Sequence, residues 1–278
     1  MTISVHTNKS ALIALQNLNK TNSNLMDTQG KISTGLKIGN AKDNAAVWAI
    51  AQQQRADLSA LTAVKSSLDR ATSISEVAMS AGESISDLLN EMKQKVVAAM
   101  EPSIDQTSRD LLNSDFRALV RQINQVIGAA QFDGANILDG SITNDIQFLA
   151  NADASEMITL SVKDMSFGGS IISIGATDTI GTVTTATSVL AALDTSITEV
   201  NKALGDMGAQ AKQIEAHNTF VSKLQDVLEA GVGNLVDADL SKESARLQAL
   251  QVQQQLGVQA LSIANSAPQM ILSLFQNG

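Results

Sequence analysis

Two stretches of this sequence repeat mostly apolar or small residues at strictly alternating steps of three and four over five heptads each. One runs through Leu61, Val64, Leu68, Ala71, Ser75, Ala78, Gly82, Ile85, Leu89, Met92 and Val96. The other runs through Leu193, Ile197, Val200, Leu204, Met207, Ala211, Ile214, Asn218, Val221, Gln225 and Leu228. A 3.5-residue period is what helices need to pack along one continuous seam. At about 1.5 Å per residue each stretch predicts a rod of roughly 50 Å. Rods of equal length, separated in the chain, close most simply on each other as a helical hairpin or bundle. Pro102 ends the first rod, because proline removes a helical hydrogen bond and clashes with the preceding turn. A shorter helix follows, with Leu112, Phe116, Leu119, Ile123, Val126 and Ala130 on one face. Gly231 and Gly233 are expected to end the second rod, and VDADLSKESA to form a polar turn after it.

The two ends of the chain carry stripes of their own. Near the start, Ala11, Leu15, Leu18, Asn22, Leu25, Gln29 and Ile32 repeat at four and three, and the helix is expected to stop between Gly30 and Gly35. Asn22 and Gln29 lie inside that seam, where buried amides weaken packing but fix register. Near the end, Val252, Leu256, Ala260, Ile263, Ala267, Met270 and Leu274 share a face, which Phe275 widens. No charged residue occurs from Leu247 to Gly278, yet its many Gln and Asn residues interrupt any run long enough to span a bilayer. Both terminal helices have more apolar surface than a lone rod can leave in water, which points to pairing with each other and with further subunits.

Between the rods the texture changes. Asp133-Gly134 and Asp139-Gly140 are tight-turn pairs. IQFLA (146–150) and MITLSV (157–162) read as short strands joined by NADASE, and SFGGSIISIG (166–175) as a further strand. The Thr-rich run 177–188 reads as loop or weak strand. The fold class is therefore mainly α: a long antiparallel, coiled-coil-like bundle with paired terminal helices and a small β-hairpin element.

Composition removes most chemistry. The 278 residues contain no cysteine, two prolines and only 3% aromatics, and carry a net charge of −9. The absence of thiols excludes disulfides and thiolate metal sites, and the acidic balance opposes binding to phosphate backbones. His6 and His217 are far apart in sequence, and no HExxH, GxSxG or paired-acid constellation is present. No catalytic residue, metal ligand or cofactor is expected, and neither nucleic-acid binding nor membrane insertion. MTISVHTNKS lacks a basic run followed by an apolar core, so no cleavable secretion signal is expected.

Three separated segments carry a family resemblance. STGLKIGNAKDNAAVWAI (33–50), FDGANILDG (132–140) and ESARLQALQVQQQLGVQALSIANSAPQMILSLF (243–275) resemble bacterial flagellins, in the same order, with the texture of short alphaproteobacterial forms. The first segment supplies a linker motif in Gly35, Leu36, Ile38, Ala41, Lys42, Asp43, Ala45 and Ala46. The resemblance implies a filament subunit whose terminal helices (1–35 and 241–278) form a discontinuous inner core. Residues 36–140 and 189–240 would then form an outer core of long helices, and 141–188 a short outward element. It also implies export through the flagellar type III apparatus with a secretion chaperone. Tip assembly beneath a filament cap, above hook-associated proteins, and an extracellular location in a homopolymer shared with sibling flagellins follow from it too. Ser166, Ser170, Thr177, Thr179, Thr182, Thr184 and Thr185 are candidate O-glycosylation positions on the outward element. A hook–filament junction protein is the alternative; a surface adhesin or enzyme on the same scaffold would need a larger insertion than 141–188.

Overall fold

The computed structural model describes the backbone of residues 8–276 and the side chains of residues 8–266; His6 lies outside the described residues. Within them there are five helices and a two-stranded sheet, in the order α1 (Lys9–Thr34), α2 (Ala45–Ala99), α3 (Gln106–Ala129), β1 (Ile146–Leu149), β2 (Met157–Leu160), α4 (Val183–Val236) and α5 (Leu240–Gln276). The chain divides into two compact units, Met1–Ala56 with Val227–Gly278, and Asp57–Asp226. The division runs through α2 and α4, so each contributes residues to both units.

In the Asp57–Asp226 unit the first heptad run is intrachain core: every position from Leu61 to Val96 in that run is buried. Its partner is α4, antiparallel and in constant register. Thr62 accepts from Gln225, Asp69 from Asn218, and Asn201 from Ser86, while Lys93 pairs with Asp194 at 2.7 Å. On α4 the seam is mixed. Leu193, Val200, Met207, Ile214 and Val221 are buried, while Ile197, Leu204, Ala211, Asn218, Gln225 and Leu228 are half-buried. At Gly82 the two helices pack tightly, since an added Cβ would lie 2.8 Å from Leu204 Cδ2.

α3 buries Phe116, Leu119, Val120, Ile123 and Ile127, as its 3.6-residue apolar stripe requires. Asp105 caps its start by accepting from the Ser108 backbone N–H. The Asp133-Gly134 pair makes a two-residue turn with positive φ at both positions (50° and 75°), closed by a bridge between Phe132 and Ala135; this is the mirror-image turn that Asp-Gly favours. β1 and β2 pair antiparallel, Ile146 with Leu160 and Phe148 with Ile158. Alternation points Phe148, Ile158 and Leu160 into the core. The hairpin is tied to α2 by Ser67, which accepts from the Leu149 N–H, and to α4 by the Gln210–Ser161 amide pair.

Three expectations for the connecting segments and helix ends need correction. SFGGSIISIG is not a strand: it has one isolated bridge, Phe167 to Ile172, around Gly168 at φ 80°. It buries Ile172 and Ile174 from an irregular backbone whose Ser173 N–H donates to Ser196. The Thr-rich run is partly helical, because Thr182 and Thr185 cap the start of α4 reciprocally, each side chain accepting from the other's backbone N–H. Residues 183–188 are the first turns of α4. At its other end α4 continues through Gly231 and Gly233. A helical glycine costs only about 1 kcal/mol relative to alanine, and buried Val232 and Val236 anchor this turn. The polar turn shrinks to Asp237, Ala238 and Asp239, with Asp239 capping α5 by accepting from Lys242 N–H.

Candidate assembly surface

α1 and α5 pair antiparallel along most of the described length of α1. Asn8 caps α1, accepting from Ala11 N–H, and donates 2.7 Å to the Ala264 carbonyl. In mid-helix, Gln254 donates to Asn22 at 2.8 Å. Gly257 faces Leu18 so closely that an added Cβ would lie 3.2 Å from Leu18 Cδ1.

The residues that face the partner differ in part from the apolar stripes. On α1 the buried or half-buried positions include Ala11, Ala14, Leu18, Thr21, Leu25, Thr28 and Ile32, with Thr21 and Thr28 buried. Ala11, Leu18, Leu25 and Ile32 of the apolar stripe are half-buried. Ala14, Thr21 and Thr28 take the intervening places, so Leu15 and Gln29 are exposed and Asn22 is half-buried at the edge. Small side chains let the backbones approach, and Thr21 satisfies its hydroxyl by donating to Asn17 O in its own helix. On α5 the facing side is Leu250, Gln254, Gly257, Leu261 and Ala264.

The described part of the α5 apolar stripe is left largely uncovered by α1. Val252 is 56% exposed, Leu256 60% and Ile263 65%, and Ala260 is exposed as well. Ala267, Met270, Leu274 and Phe275 have side chains outside the described residues. Exposed apolar residues continue on α1 as Leu12, Ile13, Leu15 and Met26. A groove alongside the seam is lined by Ile13, Ala14, Leu18, Leu256, Gly257 and Ala260. Burying an apolar side chain of this size yields about 1.5–3 kcal/mol, and in the single chain these residues are left without that gain.

The linker motif is a compact joint. Gly35 takes the left-handed conformation (φ 72°) that ends α1, and its carbonyl accepts from Ala238 N–H. Leu36 bridges Asp237, and the Lys37 and Ile38 N–H groups both donate to Val236 O. The Lys37 ammonium also reaches the Asn234 carbonyl at 2.8 Å. Asp43 then folds the loop, accepting from Gly39 and Asn40 N–H groups. Ala41 and Lys42 are exposed on this loop. Asn44 caps α2, accepting from Val47 N–H, and Ala45 and Ala46 open that helix. The motif thus joins the end of α1, the start of α2 and the α4–α5 turn through backbone hydrogen bonds. Asp43 and the cap Asn44 act only through local loop bonds, which sequence spacing alone does not reveal.

Among the candidate modification positions, Ser170, Thr177, Thr182, Thr184 and Thr185 are exposed, while Ser166 and Thr179 are half-buried. Ser166 donates to Asp164, and the Thr182 and Thr185 hydroxyls are engaged in the α4 cap. His217 is half-buried and bonds the Ala150 carbonyl at 2.7 Å. Among the described residues no group of three or more His, Asp or Glu is placed to hold a metal. None of their helices is long and apolar enough to cross a membrane.

Residues 5–143 match the bacterial flagellin N-terminal helical region, and residues 190–275 the bacterial flagellin C-terminal helical region. Flagellin FljJ of Caulobacter vibrioides is 55% identical, the match covering all of both chains. A flagellin of Brucella melitensis is 41% identical, over 98% of this chain and 99% of the relative. Among solved structures, a Vibrio parahaemolyticus protein described as flagellar hook-associated aligns over 70% of this chain and all of its own, with TM-score 0.59 and 11% identity. That similarity shows the fold alone, and the full-length flagellin relatives do not favour the junction-protein alternative. The chain belongs to the bacterial flagellins, the structural subunits of the flagellar filament.

Proposed function

We propose that the outward apolar faces of α1 and α5 are the surfaces through which this filament subunit polymerises. The observation that carries this reading is the exposed row Val252, Leu256 and Ile263, beside Leu12, Ile13 and Leu15 on the paired helix. Ala267, Met270, Leu274 and Phe275 extend the row in sequence. Neighbouring subunits bury it, offsetting the ordering entropy of about 1–2 kcal/mol per backbone residue. A contact between unlike surfaces that does not close into a ring grows as an open helical polymer. The terminal helices form the inner wall of that polymer, the long helices its next shell, and residues 141–188 its outward part.

Supply and placement follow from the same reading. The chain travels unfolded through the flagellar export apparatus with a secretion chaperone and is added beneath the filament cap. The finished polymer stands outside the cell above the hook-associated proteins and contains sibling flagellins where the cell makes them. Its role is mechanical, with no catalytic step. Ser170, Thr177 and Thr184 are the exposed hydroxyls most open to O-linked sugars.

Seeded polymerisation followed by electron microscopy tests the reading. Wild-type chains are expected to extend added seeds into long hollow filaments of uniform width. L256D/I263D places two charges on the apolar row and is expected to abolish extension. Extension by this variant at the wild-type rate would overturn the assignment of these faces.

A further inference from the structure

The Asp57–Asp226 unit carries two exposed, like-charged pairs of opposite sign that do not meet within the chain. On α3 the side opposite Phe116 and Ile123 exposes Leu111, Ser114, Arg117, Ala118 and Arg121. Arg117 and Arg121 stand one turn apart. The other two arginines of this unit are committed: Arg109 is buried against carbonyls at the end of α2, and Arg70 pairs with Asp133 at 3.0 Å. Among the described residues Arg117 and Arg121 have no ion-pair partner. On α2 a second exposed face holds Glu76, Ser80, Glu83, Asp87 and Asn90. Glu83 and Asp87 again stand one turn apart and make no ion pair among the described residues. The next acid along, Glu91, lies within the field of Lys95.

Like charges at a four-residue spacing repel on a helix surface, so each pair is a standing local strain in the isolated chain. The two pairs have the same spacing and opposite sign. They are flanked by small or short polar side chains, Ser114 and Ala118 on α3, Ser80 and Ser84 on α2, which allow two helices to approach. A growing polymer needs one surface of each copy to fit a different surface of the next. We propose that the exposed face of α3, through Arg117 and Arg121, docks on the Glu83–Asp87 face of α2 in a second copy of this chain. This inference rests on the filament reading and adds a polar contact outside the terminal helices. Two guanidinium forks against two carboxylates fix the register of neighbouring subunits and steer their encounter.

The test is a charge swap in seeded elongation. R117E/R121E and E83R/D87R each place like charges across the proposed contact and are expected to slow elongation about tenfold or more. An equal mixture of the two restores opposite charges at every alternating contact and is expected to recover most of the wild-type rate. Either variant elongating alone at the wild-type rate, or a mixture no faster than its components, would overturn the docking. Wild-type chains that fail to extend seeds would overturn the filament reading and this contact with it, so the wild-type control separates the two failures. If a reversal reduces the far-UV helical signal of the monomer, R117Q/R121Q takes its place. Elongation reduced a few-fold, together with a weaker salt dependence than wild type, is then expected, and wild-type behaviour would again overturn the proposal.

Discussion

Gln254 donates a 2.8 Å hydrogen bond to Asn22 across the α1–α5 pair, joining side chains 232 positions apart in the sequence. It is the only side chain–side chain hydrogen bond between the two helices among the described residues, and it sits beside small or apolar partners. A directional bond in such surroundings selects one register from several that apolar contact alone would accept. Asn22→Ala or Gln254→Ala leaves a half-buried amide without its partner, and each is expected to weaken the pair by about 1 kcal/mol. In a polymer that needs the pair, such a change corresponds to roughly a fivefold rise in the critical concentration for elongation. The double variant should be less harmful than the sum of the singles, since both remove one bond. Strict additivity in that cycle would show that the bond contributes nothing.

Gly257 sets how closely α5 approaches Leu18. A Cβ there would lie 3.2 Å from Leu18 Cδ1, the mobile end of a half-buried side chain. Gly257→Ala gains about 1 kcal/mol of helix propensity against a contact that Leu18 can relieve by a small rotation, so its net effect is expected near zero. Gly257→Val adds branches that rotation cannot accommodate, and is expected to destabilise the pair by about 1–3 kcal/mol. Leu18→Ala in the same chain should recover part of that loss. Amide hydrogen exchange along α5 reads each effect, and unchanged protection in Gly257→Val would exclude the close approach.

The contrast between the two helix pairs explains what could be read from the residues. The Leu61–Val96 seam was legible at every position because its apolar side is buried within the chain, against α4 and the hairpin. α1 and α5 carry apolar residues on more than one side. Periodicity finds the bulky side, Val252, Leu256 and Ile263, whereas the intrachain partner takes the side of small residues, Ala14, Thr21, Thr28 and Gly257. Nothing in a single sequence distinguishes a face meant for the same chain from one meant for another copy. The start of α4 was hidden for a different reason. Val183, Thr184 and Thr185 are β-branched and read as extended, whereas the reciprocal Thr182–Thr185 cap and the burial of Ala186 and Val189 favour the helix.

Four surface groups give the pH profile a predictable sign. The Lys163 ammonium, by its hydrogen bond first and its charge second, holds Asp206 below the ordinary carboxylate value of 3.8. Hydrogen bonding to Ser108 lowers Asp105 at the α3 cap, and the Ser155 backbone and hydroxyl lower Asp153 in the hairpin loop. A lowered folded pKa contributes stability that is present above 3.8 and lost as pH falls through the folded values beneath it. Lys95 is raised above 10.5 by its hydrogen bond to Asp115 and by that carboxylate's charge. Its contribution is complete below 10.5 and disappears as pH rises through the higher folded value. The thermal midpoint is therefore expected to decline at both extremes. Asp206→Asn should give a shallower acid decline and Asp115→Asn a shallower alkaline one. Acid and alkaline limbs parallel to wild type in both variants would contradict these assignments.

The end of α2 depends on one buried cation. Arg109 is 8% exposed and donates from Nε to the Ala99 carbonyl and from Nη2 to the Glu101 carbonyl, each at 3.0 Å. Those carbonyls lie at the helix C-terminus, where the last acceptors have no intrahelical donor and the macrodipole favours positive charge. Gln106 Oε1 lies 3.5 Å from Nη1, a long contact at the edge of hydrogen-bonding range. Arg109→Met keeps most of the apolar stem but leaves both carbonyls without their donor, and is expected to destabilise the Asp57–Asp226 unit by about 3 kcal/mol. Arg109→Lys retains the charge as a single point that cannot fork between the two carbonyls, so it should recover less than half of the loss. Urea unfolding followed by circular dichroism measures both, the order wild type, Lys, Met in midpoint being the expected result. A Lys variant as stable as wild type would show that charge alone, without the fork, holds this turn.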